Sequence, residues 1–453
     1  MSKLLKEAWT LAIETLSWME MQKLSERLAL AKTVKQLGIR DANAVRLAHM
    51  LVCETVRRRN FIDNFINNTF KPESLSEFNL GVQAFLRLYV YQTRIAKNWS
   101  KIDIEEAESI AKLVRSILGW KTLRKVEHVL GMLLTQKPKI ILESVSDEER
   151  IGLLTFHPTW FVKYCFNLFG RKEAIMMLKL NEKTPPTYVR LNTLKADESE
   201  ILEKFVGDGI KVEKVEELKY VYKVIGTKQT LTKTESFLEG LFCVQDKASC
   251  FAAEATDPKL GMTVLDVCAA PGAKTTYLAQ LMQNHGIICS IDYSKRRVQV
   301  WKSEVERMGV EIAVPIIADA RKPLPLTIEA DIVVLDPPCT STGAFGKLPS
   351  AKWRLTRYSV DRMAEIQWLM INSCAENVKP GGSLIYSTCS ITIEENEMLI
   401  ERFLKWHPEF SLTEITPKIG LPGLRGMEEC RRLYPHIHQC NGFFIAKLLK
   451  SKI

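Results

Sequence analysis

The sequence predicts three folded parts in succession: a helical bundle, a small α/β unit and a doubly wound α/β domain. Apolar residues recur at helical spacing from Leu4 to Thr135, with no alternating run among them. Strand and helix signals then alternate over TYVRLN, Glu200 to Val206, KYVYKVI and the segment leading to LFCVQD. From about Gly261 onward, short apolar runs that end in an acidic residue or a cysteine alternate with helical stripes, the order that a parallel sheet with crossover helices requires.

A chain of 453 residues has room for about two to four domains with buried cores. Its 46% hydrophobic content is that of a soluble globular protein. No stretch approaches the roughly 18 uncharged apolar residues of a membrane helix, and MSKLLKEAWT lacks the apolar core and cleavage site of a secretion signal, so a cytoplasmic protein with no membrane partner is expected. The 11 cysteines include no CxxC pair, which suits reduced thiols. A formal charge of +10 favours a polyanionic partner, nucleic acid first, although a modest lysine excess often serves only solubility.

In the helical part, Leu5, Trp9, Ala12, Ile13 and Leu16 form one stripe, and Val45, Ala48, Val52 and Val56 form another behind the candidate N-cap Asp41. Asp103 with Glu106 has the form of a capping box ahead of Ala107, Ile110, Val114 and Ile117, and Leu123, Val126, Leu130 and Leu133 make a further stripe. Arg57, Arg58 and Arg59 could hold phosphates, or form a solvated helix end favoured by the dipole. Lys137 to Glu149, with Pro138 and the run Asp147, Glu148, Glu149, reads as a linker. His157, Pro158 and Trp160 open a helix to about Phe169, and another ends before Pro185 and Pro186. Tyr220 and Tyr222 share a strand face, where they could stack on bases. One side of a small hydrophobic core is the commoner use, and the reading favoured here.

The third part is organised around Thr263 to Met282. Val264, Leu265 and Val267 form a strand interrupted by the charge of Asp266; Ala269, Ala270, Pro271, Gly272 and Ala273 let the backbone approach a ligand; Leu278 and Leu281 resume as a helix. A P-loop is excluded because Ala273 precedes Lys274 and Cys268 holds the earlier glycine position, and GxGxxG fails with Gly272 alone. Such a loop, with acids at later strand ends, suits a nucleoside cofactor without phosphate, of which S-adenosylmethionine is the commonest.

The later strands supply those acids. GIICSIDYS ends in Asp292, 26 positions beyond Asp266, where a carboxylate can accept both ribose hydroxyls. VPIIADA ends in Asp319, and ADIVVLDPPC ends in Asp336, Pro337, Pro338 and Cys339. A helix from about Ser359 to Asn377 follows, Pro380, Gly381 and Gly382 turn the chain, and SLIYSTCS carries Cys389 out of the next strand. Singly, each acid suits a helix cap and each cysteine a buried thiol. Together they sit where doubly wound sheets bind their ligands. Thr392, Glu394 and Glu395 place Cys389 just before a helix N-terminus, whose dipole favours a thiolate. Cys430, His436, His438 and Cys440 could be drawn as zinc ligands, but their spacing matches no common finger, so no metal is expected.

CAAPGAKT, DPPC and STCS, in this order and spacing, resemble the RNA (cytosine-5) methyltransferases of the Sun/Fmu family, and HPTW, TPPTYVRLN, GLFCVQDKAS and LYPHIHQCNGFFIAKL extend the similarity from Phe156 to the end. FLRLYVYQ and IAKLVR resemble a NusB-like RNA-binding bundle. The resemblance implies an all-α NusB-like helical RNA-binding domain over 1–140, a small RRM-like α/β RNA-binding subdomain over 150–255 and a Rossmann-like S-adenosylmethionine-dependent methyltransferase domain over 256–453. It assigns Cys389 as the nucleophile that adds to carbon 6 of cytosine, Cys339 to removal of the carbon 5 proton, Asp336 to the base's N3 and exocyclic amine, and Lys274 to orienting the base. It assigns Cys268, Ala269, Ala270, Pro271, Gly272, Ala273, Lys274, Asp292, Asp319 and Asp336 to the cofactor site. Departures are Ala273, where the family usually has a second glycine, and GKLPSAKW, where many bacterial members are more basic.

The implied partner is RNA, ribosomal first and transfer RNA next, acted on by a monomer. Two other functions stay open at this point. In DNA cytosine methylation a Pro-Cys cysteine such as Cys339 would attack instead, against which the STCS cysteine and RNA-type N-terminal parts speak. An RNA-binding assembly factor with a vestigial site is the other, against which intact Cys339, Cys389, Asp336 and Lys274 speak.

Overall fold

A computed structural model describes residues 3–71, 73–99, 102–143 and 145–452. The chain divides into two compact units, Met1–Lys183 with Phe345–Arg354, and Thr184–Ala344 with Leu355–Ile453.

The first unit is helical throughout its described residues. Helix Lys3–Gln22 buries Trp9, Ala12, Ile13 and Leu16, as their spacing requires. Asp41 caps Ala42–Arg57 by accepting from the backbone N–H of Asn43 and Ala44, and Asp103 caps Ile104–Leu118 through Glu106 N–H. These helices enclose a core containing Phe61, Phe65, Phe85, Leu88 and Leu113. The expected linker is corrected by the structure: Asp147, Glu148 and Glu149 form the first turn of helix Asp147–Leu154, capped by Ser146, where carboxylates suit the dipole. Helices Thr159–Phe169 and Arg171–Leu180 complete the run.

Phe345–Arg354 packs within this same unit. The ring of Phe345 lies 5.4 Å from Phe161 and 5.8 Å from His157, and Trp353 Nε1 donates to Val56 O at 2.6 Å. The segment holds the GKLPSAKW stretch. Arg57 is absorbed here too, buried and donating to the carbonyls of Gly346 and Asn181, while Arg58 pairs with Glu54 and Arg59 with Glu20 and Asp63. The three arginines are structural donors rather than a solvated helix end.

The second unit opens with a four-stranded antiparallel sheet of β1 (Tyr188–Leu191), β2 (Ile210–Lys214), β3 (Val221–Thr227) and β4 (Phe242–Val244) in the order β2-β3-β1-β4, with helix Glu198–Gly207 against it. Tyr222 is buried in its core and donates to Glu198, and Tyr220 packs against the same core, so these tyrosines serve packing.

The main sheet contains β5 (Thr263–Val267), β6 (Ile287–Asp292), β7 (Ala313–Ile317), β8 (Ala330–Leu335), β9 (Val378–Thr388), β10 (Phe410–Leu412), β11 (Leu421–Pro422), β12 (Arg431–Leu433) and β13 (Phe443–Lys450). Its parallel part runs β7-β6-β5-β8-β9, with antiparallel β13 beside β9. Strand order reverses between β5 and β8, so the loops leaving them part and open a crevice. Register aligns that crevice: Val267 pairs with both Ile291 and Leu335, so Cys268, Asp292 and Asp336 leave three adjacent strands at one level. Pro380-Gly381-Gly382 does not turn the chain into a new strand. It bulges inside β9, whose pairing to β8 jumps from Val378 to Ser383 while β8 advances from Ala330 to Ile332. Gly381 takes φ 78° there.

Candidate active site

The loop after β5 is shaped from below by a buried carboxylate. Asp266 accepts from Thr275 Oγ1 at 2.5 Å, and Thr275 accepts from Trp301 Nε1 at 2.9 Å, which ties strand, loop and two helices together. Burial pushes Asp266 up to about 6. Gly272 turns into helix Ala273–Leu281 with φ 112°, and a Cβ there would come within 3.3 Å of Trp301. Beside this loop is a cavity of about 270 Å³ lined by Cys268, Asp292, Tyr293, Arg297, Asp319 and Pro338 among others. Asp292 is buried; its Oδ1 accepts from Ser294 N–H, while its Oδ2, 3.2 Å from Arg297, accepts no hydrogen bond among the described residues. Arg321 holds the Asp319 carboxyl down to about 2.

Lys274 and Asp336 do not line this cavity. They pair with each other, Lys274 with a side-chain exposure of 9%, close enough to Cys389 for their charges to act on it. Coulombic attraction and the hydrogen bond to Asp336 outweigh burial and hold the ammonium above its ordinary value.

Cys339 and Cys389 face each other with their sulfurs 3.2 Å apart, both half-buried. A hydrogen bond from Cys339 lowers the Cys389 thiol, assisted by Ser341 Oγ at 3.6 Å and opposed by burial. The same hydrogen bond, followed by burial, raises Cys339. The pair is thus biased toward loss of the proton from Cys389 before Cys339. The expected helix dipole is not what does this: helix Glu397–Trp406 begins well past Cys389, and the turn before it serves the loop through side chains. Gly343 N–H donates to Cys389 O at 2.9 Å, and a Cβ on Gly343 would meet Gly442 O at 2.0 Å, so the two cysteine loops and the loop ahead of β13 are in backbone contact. The loop that follows the HIHQC stretch therefore lies beside the site. Cys430 and Cys440 are buried, and no group of three or more side chains able to hold a metal occurs among the described residues.

Residues 253–449 match the family model of the 16S rRNA methyltransferase RsmB/F domain, and residues 157–224 match its ferredoxin-like domain. The chain is 31% identical to the probable ribosomal RNA small subunit methyltransferase B of Bacillus subtilis (strain 168), over 97% of this chain and 98% of that one. The chain belongs to the RsmB/F methyltransferase family. A second relative, the tRNA (cytosine(72)-C(5))-methyltransferase of Pyrococcus horikoshii, is 38% identical over 49% of this chain and 56% of its own. The crystal structure of PH0851 superposes with a TM-score of 0.83 at 31% identity, covering 98% of this chain and 99% of that one. The main sheet is thus the Rossmann-like methyltransferase fold and the four-stranded sheet the ferredoxin-like domain.

In this RsmB/F chain Cys268, Asp292 and Asp319, expected at the cofactor site, line one cavity, whereas Lys274 and Asp336, expected there too, pair with each other near Cys389; Cys339 faces Cys389, and Ala269, Ala270, Pro271 and Gly272 form the loop after β5, with Ala273 opening the helix. The sequence reading missed Tyr293, directly after Asp292 at the strand end, and Arg297, in the first turn of helix Lys295–Arg307 that follows. It also missed Ser341, which no spacing distinguishes. Glu395 was seen, as part of a helix start; its partners include the nearby Ser390 and Thr392 but also the distant Thr340 and Gln367, which no spacing announces.

Proposed function

We propose that this chain methylates carbon 5 of a cytosine in ribosomal RNA through a covalent bond between Cys389 and carbon 6 of the base. Family membership makes it an S-adenosylmethionine-dependent RNA (cytosine-C5) methyltransferase. The observation that carries the mechanism is the cysteine pair, 3.2 Å apart and shifted in opposite directions.

Carbon 5 of cytosine is a poor nucleophile until a thiolate adds to carbon 6. The lowered thiol, Cys389, makes that addition. S-adenosylmethionine supplies the electrophilic methyl on a sulfonium. The residues present fit its nucleoside: the buried Asp292 Oδ2, ion-paired with Arg297 but accepting no hydrogen bond among the described residues, suits a ribose hydroxyl, the small-residue loop after β5 leaves room for close approach, and the exposed Tyr293 offers a ring face. Asp336, held by Lys274, accepts from the exocyclic amine of cytosine and so orients the ring, and the Lys274 ammonium beside it offsets the negative charge that develops on the adduct. Once Cys389 is a thioether, the thiolate that raised Cys339 is gone. Cys339 then releases its proton to water, takes the carbon 5 proton, and the carbon–sulfur bond breaks to return Cys389 as thiolate. The base must leave its stack to be reached.

The helical residues 1–140, as a NusB-like domain, and the small α/β residues 150–255 are assigned to holding RNA ahead of the methyltransferase residues 256–453, in a cytoplasmic monomer. Ribosomal RNA is preferred because the Bacillus relative matches end to end, whereas the transfer-RNA relative matches about half of this chain. The test is a denaturing gel for protein–RNA adducts formed from cellular RNA and S-adenosylmethionine. Cys339→Ser should accumulate an adduct and Cys389→Ser none, and the trapped RNA identifies the substrate. The reverse pattern sinks the assignment and favours the DNA-type order of attack. RNA binding with no adduct from any variant favours the assembly-factor reading.

A further inference from the structure

We infer that Glu395 is a positioning residue that sets the spacing of the two cysteine loops; the inference rests on reading Cys389 and Cys339 as nucleophile and base. The sheet alone does not set that spacing. β9 ends one residue before Cys389, but β8 ends at Leu335, leaving Cys339 on a loop. Glu395, fully buried, bridges the gap. Its Oε1 accepts from the backbone N–H of Thr340, next to Cys339, at 2.9 Å and from Gln367 Nε2 at 2.9 Å. Its Oε2 accepts from Thr340 Oγ1 at 2.5 Å, Ser390 Oγ, next to Cys389, at 2.6 Å, and Thr392 Oγ1 at 2.7 Å. Gln367 also donates to Pro338 O at 2.9 Å, so one carboxylate gathers the residues flanking both cysteines.

The following residues fix Glu395 in turn. Asn396 accepts from Thr388 Oγ1 and donates to Ser390 O, and Glu397 pairs with the buried Arg432, which donates to Ile391 O. Electrostatics argue that the role is geometric. A negative charge here disfavours the Cys389 thiolate, so activation is not what Glu395 supplies. Five donors converge on a group that only accepts. An amide in its place turns a donor toward hydroxyls or an N–H, which breaks at least one link. Misplacement of reacting groups by about 1 Å costs on the order of 100-fold in rate.

The experiment compares the full-length wild type with Glu395→Gln and Thr340→Val. Diamide oxidises the facing thiols to a Cys339–Cys389 disulfide, accepting two electrons and two protons, and peptide mass spectrometry gives its rate without any RNA. Methylation of cellular RNA gives kcat and KM, and thermal melting reports folding. Folded Glu395→Gln should close the disulfide at least about tenfold more slowly and lose about 100-fold in kcat, with KM for RNA within about twofold. Thr340→Val should move both readouts in the same direction by less. Wild-type disulfide rate in folded Glu395→Gln overturns the inference, as does a slowed disulfide with unchanged kcat. If Glu395→Gln fails to fold, Thr340→Val decides on the same criteria. An error in the nucleophile assignment appears separately, as Cys389→Ser that still turns over.

Discussion

Two buried lysines, one in each unit, show how differently the two regions use charge. Lys352 of the helical unit is fully buried and donates to two backbone carbonyls, Phe156 O at 2.8 Å and Arg57 O at 3.1 Å. Burial, then the nearby Arg57, pushes it well below its ordinary value. Lys274 of the catalytic unit is buried almost as deeply, yet Asp336 holds it above. The lesson is that the partner's charge, not depth, sets the state of a buried amine. An amine held low among carbonyls can anchor a segment, whereas one held high keeps a carboxylate in place.

The catalytic unit carries the largest expected effects. Cys389→Ser removes the proposed nucleophile near the Lys274–Asp336 pair, and methyl transfer should fall by at least about 1000-fold, measured with labelled methyl donor and cellular RNA. Asp336→Asn tests the pair itself. It leaves a buried ammonium without its counter-charge, and since Asp336 is about a third exposed, solvent limits the cost to about 2 kcal/mol in urea unfolding, with kcat down by roughly 100-fold.

Lys352 sharpens the contrast through pH. Its amine binds a proton in the unfolded chain up to about pH 10.4 but releases it in the fold, so stability should rise with pH between the lowered folded value and that limit. Urea midpoints from pH 7 to 9 should climb in the wild type and flatten in Lys352→Met. Lys274 is shifted the other way, and its contribution is complete throughout that window, so it adds no slope. The smallest effect belongs to Asp266. Raised to about 6, it keeps a proton in the fold that the unfolded chain loses near pH 4, so its contribution declines as pH rises between those values. Asp266→Asn should remove that decline, read from the same midpoints over pH 4 to 6.5.

Much of this was legible in the chain. Trp9 to Leu16 and Val264 to Val267 announce their elements because one apolar face or two buried faces leave a period that a reader can count. The place of Cys268, Asp292, Asp319, Asp336 and Cys389 at the carboxyl ends of strands was legible because each closes an apolar run. What stayed hidden is tertiary. Pro380-Gly381-Gly382 carries turn residues, and only pairing with β8 makes it a bulge. Phe345–Arg354 follows a catalytic loop in sequence yet packs among helices, because Phe345, Lys352 and Trp353 find ring and carbonyl partners there that no spacing announces. Glu395 resembles a helix-start acid, and its five donors come from three separate segments.

The central claim, that the facing cysteines differ in ionisation and that Cys389 is the nucleophile, is tested most directly by their alkylation. Iodoacetamide labelling of the free enzyme from pH 6 to 10, resolved by peptide mass spectrometry, reads each thiolate. The account predicts that Cys389 reacts first, with a midpoint below the ordinary thiol value of about 8.5, and that Cys339 follows only at higher pH. Cys339 labelling ahead of Cys389 would contradict it.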